Sequence, residues 1–335
     1  MSAAGRDAGE RGYRRLPLNY AMQKFRFNFR AMACDNIIEF YASSAAQATA
    51  AAKAAINEVT RIEAKYSRYA ADSVVSRINA AAGIAPVYID EETSHLFDYA
   101  SVCHEQSGGL FDITSGVLRR AWNFRANRPP ARATITPLMP LIGWSRVERT
   151  SSRIFLPQQG MEIDFGGFGK EYAVDRAATV LFSSGLRHAF VSLGGDVMVT
   201  GPRANGEPWQ LGIRHPRKPA GVIAQLPIAS GAVATSGDYE RYLDFGGRRY
   251  SHILDPRTGE SVSCFQSVTV LAPSCLVAGS VSTIAMLKGE TDAVRWLGDS
   301  GAAYFALDAS GQVISNLPEV HAASRKLSRF PPAPD

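Results

Sequence analysis

An α+β domain organised in two lobes is the fold class this sequence predicts, and three observations predict it. Strand-like runs gather in groups with amphipathic helices between the groups, rather than alternating one by one. No repeat of fixed period runs through the chain, and no linker of distinct composition divides 30–320. Apolar residues make up 46% and charged residues 20% of the 335, ordinary proportions for a chain that builds a packed core.

The elements follow in order. Ile37, Ile38, Phe40 and Tyr41 make 35–41 a strand. An Ala-rich helix over 44–66 carries Ile56, Val59, Ile62 and Tyr66 at helical spacing. A second helix over 91–106 stops at Ser107-Gly108-Gly109, and the prolines 129, 130, 137 and 140 make 125–150 loop and short turns. A third helix over 171–184 ends on Gly185. Strands are expected at 189–193, 209–214, 222–228, 232–235, 249–253 and 267–271. Helices at 274–287 and onward to about 297, then strands at 303–307 and 313–315, complete the fold. The domain is set at 25–320, with disordered tails expected at 1–24 and 321–335.

The net charge of +5 is partly a property of those tails: Arg6, Arg11, Arg14 and Arg15 lie in the first, Arg325, Lys326 and Arg329 in the last. A nucleic-acid role would need basic residues interleaved with aromatics on a folded face, and no such face is evident. No apolar run reaches the roughly 18 residues of a membrane span, and no apolar segment follows the basic N-terminus as in a signal peptide. The widely spaced Cys34, Cys103, Cys264 and Cys275 read as free thiols in a reducing compartment, the cytoplasm.

The densest chemical signal is Asp164-Phe165-Gly166-Gly167-Phe168-Gly169-Lys170-Glu171, an acid and three glycines at a strand-to-helix junction. Glycines let backbone approach a ligand, and a helix N-terminus with Lys170 beside it favours phosphate. A tight turn with no ligand reads equally well. Ser192-Leu193-Gly194-Gly195-Asp196 reads as a turn into a strand. In Tyr250-Ser251-His252-Ile253-Leu254-Asp255-Pro256-Arg257, His252 lies on a strand near Asp255 and Arg257, a setting suited to acid–base work. His95, His104, His188, His215 and His321 lack such company and read as surface or structural residues.

Five blocks, in order, resemble the FAD:protein FMN transferases, the ApbE family. They are Tyr69-x-x-Asp72-Ser73 with Ser76-Arg77-x-Asn79; Ser107-Gly-Gly-x-Phe111-Asp112-x-Thr114; Asp164-Phe-Gly-Gly-Phe-Gly-Lys-Glu-Tyr-Ala-Val-Asp175; Ala234-Thr-Ser-Gly-Asp-Tyr239; and Tyr250-Ser-His-Ile-Leu-Asp-Pro-Arg-Thr-Gly259. The resemblance implies an ApbE-like, T-fold-related domain that takes FAD and, with Mg²⁺, transfers its FMN half to a Ser or Thr hydroxyl of an acceptor flavoprotein, releasing AMP. FAD pyrophosphatase activity, or flavin binding without catalysis, are the alternatives it leaves.

By the same resemblance Met32 and Tyr69 would line the flavin nucleotide, with Leu110, Phe111 and Asp112 as another wall. Asp164 and Lys170 would lie at the adenosine and pyrophosphate end, and Leu254 beside the nucleotide. For Tyr69, Phe111 and Leu254 plain core packing is the competing reading. His252 would stand nearest the reacting hydroxyl, as base or hydrogen-bond donor. The family's magnesium motif A-D-A-x-x-T reads Ala278-Gly279-Ser280-Val281-Ser282-Thr283 here. Thr283 is kept and Gly167 could offer a carbonyl, but Gly279 stands where the Asp is expected. Losing that charge would weaken Mg²⁺ binding; Ser280, Ser282, Asp164 or the phosphates of FAD are the groups that could compensate.

Overall fold

A computed structural model describes residues 22–218 and 221–317. Its centre is an eight-stranded antiparallel sheet whose strands lie side by side in chain order: Gln23–Ala31, Cys34–Ala42, Ala189–Leu193, Asp196–Val199, Gly231–Gly237, Phe265–Ala272, Ala303–Asp308 and Val313–Ser315. The expected domain boundary at 24 falls inside the first strand; the rest of both expected tails lies outside the described residues. His321 lies there too.

Helices α1 (Ala45–Tyr66), α2 (Val74–Ala80), α3 (Glu91–Ser107), the short α4 (Arg132–Ile135) and α5 (Gly169–Ser183) fall in one long insertion between the second and third strands. Helices α6 (Cys275–Leu287) and α7 (Glu290–Asp299) connect the sixth to the seventh. Ser44 starts α1 by accepting the Gln47 N–H, and Asp90 starts α3 by accepting that of Thr93. The buried stripe of α1, Ala48, Ala51, Ala52, Ala55, Val59 and Ile62, packs against α5, which buries Ala173, Val174, Ala177 and Ala178. Small side chains on both helices allow close approach.

Alternation along the central strands sorts side chains to two cores. Ala232, Ala234, Val268, Val270, Tyr304 and Ala306 join the helices, whereas Val233, Phe305 and Leu307 join Trp209, Ile213, Ala224 and Leu226 of a separate hairpin, Trp209–Arg214 with Val222–Ile228. The sheet therefore lies between a helical layer and a hairpin layer. A second hairpin, Tyr242–Phe245 with Arg248–Ser251, leads out of the fifth strand. Among the described residues, no helix is long and apolar enough to cross a membrane.

Candidate active site at the head of α5

Asp164 opens the glycine-rich turn that leads into α5, and its carboxylate organises that turn. Oδ1 accepts the Gly166 N–H at 2.8 Å, while Oδ2 is paired with Arg68 at 3.2 Å and Arg119 at 3.3 Å. Upstream, the Asn79 amide grips the Ile163 peptide from both sides, accepting its N–H at 2.7 Å and donating to its carbonyl at 3.1 Å. Ser73 caps α2 and so aims Asn79 at this segment. A Cβ on Gly167 would lie 3.1 Å from Phe111 Cζ, so the ring packed on this turn keeps the position small. Helix α5 begins at Gly169 after Phe168, with no side-chain cap; the Gly169 N–H donates to the Phe165 carbonyl at 2.6 Å, which leaves the Lys170 and Glu171 N–H groups of the first turn to face a ligand.

The block that ends α3 builds a wall. Gly108, at φ 69°, closes the helix, and Ser107 Oγ accepts the Phe111 N–H at 2.8 Å. Asp112 is spent internally: Oδ1 accepts the Thr114 N–H and hydroxyl at 2.7 and 2.6 Å, and Oδ2 accepts the Trp144 N–H at 2.9 Å. Leu110 and Phe111 are buried, and Leu254 is half-buried against the cluster of Leu118, Trp122 and Ile135. Core packing thus accounts for the side chains of Phe111 and Leu254. It does not account for Tyr69, which is 79% exposed.

Lys170 forms an ion pair with Asp196, which is buried and also accepts the Thr235 N–H at 3.1 Å. Gly194 and Gly195, at φ 58° and 100°, form the turn that presents Asp196. A Cβ on Gly194 would meet Cys34 Sγ at 3.2 Å and Lys170 Cδ at 3.6 Å, so the hairpin bearing Met32 stands beside Lys170. Met32 and Ala33 both hold left-handed φ values, 54° and 60°, unusual for residues with side chains; the Met32 N–H donates to Glu63 at 2.7 Å. Beyond Asp196, the Ser236 hydroxyl lies 2.8 Å from those of Ser282 and Thr283. One turn earlier on α6, a Cβ on Gly279 would lie only 2.5 Å from Glu171 Cγ. Ser282 donates to the Gly279 carbonyl at 2.9 Å, and Ser280 accepts the Tyr99 hydroxyl at 3.0 Å.

His252 corrects two expectations. The strand ends at Ser251, so His252 stands at its exit, held by its N–H to the Arg241 carbonyl at 3.0 Å. Asp255 does not serve it; that carboxylate binds Arg257 at 2.8 and 3.1 Å. The imidazole instead feels Arg119, Arg241 and Lys170. Burial first, and then these cations, push its pKa down from 6.5 to about 4, and Nδ1 is buried without a partner. His252 is therefore held neutral, mainly by burial and further by these positive charges.

The same cations tie the site together. Arg119 reaches Asp164, Lys170 reaches Asp196, and both act on His252. The model of the ApbE family matches residues 32–305, which includes every one of these groups. The chain belongs to the ApbE family.

Over 238 residues this ApbE-family member is 33% identical to a protein named FAD:protein FMN transferase from Rhodobacter capsulatus, covering 68% of this chain and 45% of that protein. It thus spans less than half of that relative's length. Over 258 residues it is 30% identical to a Salmonella typhimurium protein of the same name, covering 73% of each. The ApbE protein of Thermotoga maritima shares the fold at a TM-score of 0.80 and 33% identity, covering 88% of this chain and 97% of that one.

Arg68, Arg119 and Arg241 are not among the candidate site residues that the sequence offers, and Asp196 appears there only as the end of a Gly-Gly turn. Arg68 and Arg119 become recognisable only when the fold brings 68, 119 and 164 together. Asp196 reads as part of a turn until Lys170 is seen against it.

Proposed function

We propose that the chain is an FAD:protein FMN transferase, moving FMN from FAD to a Ser or Thr hydroxyl of an acceptor flavoprotein and releasing AMP. The observation that carries this reading is that burial and the charges of Arg119, Arg241 and Lys170 keep His252 neutral, Lys170 lying in the first turn of the uncapped α5. A diphosphate dianion is the ligand such a group of cations suits. The names of the Rhodobacter and Salmonella relatives support the same activity.

In this reading Lys170 and the α5 N–H groups hold the diphosphate, with Asp164 keeping Arg119 and the Gly166–Gly167 turn in position. The exposed ring of Tyr69 stacks on a flat face of FAD, worth about 1–3 kcal/mol. Met32, Leu254 and the backbone of Leu110, Phe111 and Asp112 border the nucleotide. The acceptor oxygen attacks the phosphorus of the FMN half, and the bond from that phosphorus to the AMP oxygen breaks. The hydroxyl proton passes to the neutral imidazole of His252, a phosphodiester to FMN forms, and AMP leaves with the electron pair.

Mg²⁺ fits the residues present. Oε2 of Glu171 is buried without a hydrogen-bond partner, the kind of hard donor such an ion needs. Thr283 and the Gly167 carbonyl would help to hold it. Bound there, it would supply positive charge against the diphosphate oxygens. The four cysteines are free thiols, which supports the cytoplasm as the compartment.

Co-expression with an acceptor domain tests the assignment. Flavin fluorescence that stays with the acceptor through denaturing electrophoresis is expected for the wild type and is expected to be lost in His252→Asn. An acceptor that never becomes fluorescent refutes transfer.

A further inference from the structure

We propose that Glu171 is the carboxylate of a divalent-cation site shared between α5 and α6, occupying the space that an acid at position 279 would need. The inference rests on the transferase reading for its biological purpose, but its geometry stands apart from it. Glu171 is 8% exposed, lies in the first turn of α5 and faces α6. Its Oε1 is 3.6 Å from Lys170, which also pairs with Asp196; its Oε2 is buried with no partner. A carboxylate oxygen left bare in a low-dielectric interior calls for a cation or a donor.

The space beside it is already taken by Glu171 itself. A Cβ on Gly279 would lie 2.5 Å from Glu171 Cγ, 3.0 Å from Cδ and 3.1 Å from Oε1. Any side chain at 279 would displace the Glu171 carboxylate. Residues 279 and 283 lie four apart and share one helix face, so that carboxylate and the Thr283 hydroxyl border the same surface of α6. Thr283 in turn touches Ser236 at 2.8 Å. A carboxylate and hydroxyls are hard oxygen donors, which selects Mg²⁺ or Mn²⁺ completing its shell with water and phosphate oxygens. Among the described residues no three His, Cys, Asp or Glu side chains gather as a metal cluster.

Positions 171 and 279 therefore form an exclusive pair, in which one carboxylate is delivered either from α5 or from α6. Ser280, Ser282 and Asp164, the groups the sequence offered in compensation, are engaged with Tyr99, with Ser236 and Gly279, and with Arg68 and Arg119. Adding an acid at 279 in the presence of Glu171 would crowd two carboxylates and give no better site.

Electron paramagnetic resonance of free Mn²⁺, titrated against the full chain with and without FAD, measures the site without turnover. Wild type is expected to bind Mn²⁺. Glu171→Gln and Glu171→Ala should each weaken it by roughly tenfold or more, and Gly279→Asp alone should not strengthen it. The double variant Glu171→Gly/Gly279→Asp should recover most of the affinity. Equal Mn²⁺ affinity in wild type, Glu171→Gln and Glu171→Ala, or no Mn²⁺ bound even with FAD present, overturns the inference. FAD binding, followed by flavin fluorescence in the same samples without metal, reports separately on the transferase reading; its loss in wild type would defeat that reading and leave the Mn²⁺ comparison intact.

Discussion

In the proposed reaction His252, its pKa lowered by burial and by the charges of Arg119, Arg241 and Lys170, would act as a base that is already unprotonated at neutral pH. The acid limb of kcat/KM, which reports the free enzyme, should therefore fall near pH 4 and not near 6.5. The same shift fixes a stability effect. With the folded pKa lowered from 6.5 to about 4, the unfolded chain takes up a proton first as pH falls. His252 contributes fully above pH 6.5, and its contribution is lost as pH drops from 6.5 towards 4. Unfolding in denaturant across that window should show a steeper acid loss for wild type than for His252→Asn. Lys170 and Asp196 give a second test at this scale. Lys170→Met leaves a buried carboxylate unpaired and should cost about 3–5 kcal/mol, largely recovered in Lys170→Met/Asp196→Asn. The motif made His252 and Lys170 visible in sequence, but their partners came from three other segments, so neither the depressed pKa nor Asp196 could be read from spacing.

At the scale of elements, the contact between α5 and α6 sets the site. Asp175 of α5 accepts the N–H groups of Cys275 and Leu276 at 2.7 and 2.9 Å, fixing the start of α6 and with it the positions of Gly279 and Thr283. Asp175→Ala should destabilise by about 1–2 kcal/mol and should also weaken Mn²⁺ binding, measured by thermal unfolding and by resonance titration. Helix spacing made α1, α3, α5 and α6 legible to within a residue or two, because buried apolar stripes and Gly stops mark them. The strand Gln23–Ala31 was readable in principle from Phe25, Phe27 and Phe29 alternating with Lys24, Arg26 and Asn28, but the basic composition upstream masked it. Tyr250 and Ile253 flank His252 and make 249–253 read as a strand, but pairing stops at Tyr242 opposite Ser251.

Across the whole molecule, the α+β class followed from the grouping of strands, while the sheet order did not. Asn36 pairs with Leu193, so neighbouring strands are separated by a long insertion that holds α1 to α5. No local pattern encodes such a contact. That insertion carries Arg68, Arg119 and Lys170, and Arg241 follows the fifth strand, so cations from two separate parts of the chain act on the site. Binding of FAD should therefore be salt-sensitive, weakening several-fold between about 0.05 and 0.5 M ionic strength, as fluorescence titration would show. The proposed transfer exchanges a phosphoryl bond of FAD for a bond to a protein hydroxyl. AMP release from FAD, measured together with covalent flavin on a purified acceptor domain, tests it most directly. AMP and acceptor-bound flavin are expected in equal amounts, both absent in His252→Asn; AMP accompanied by free FMN, or FAD left intact beside the acceptor, would refute transfer to the acceptor.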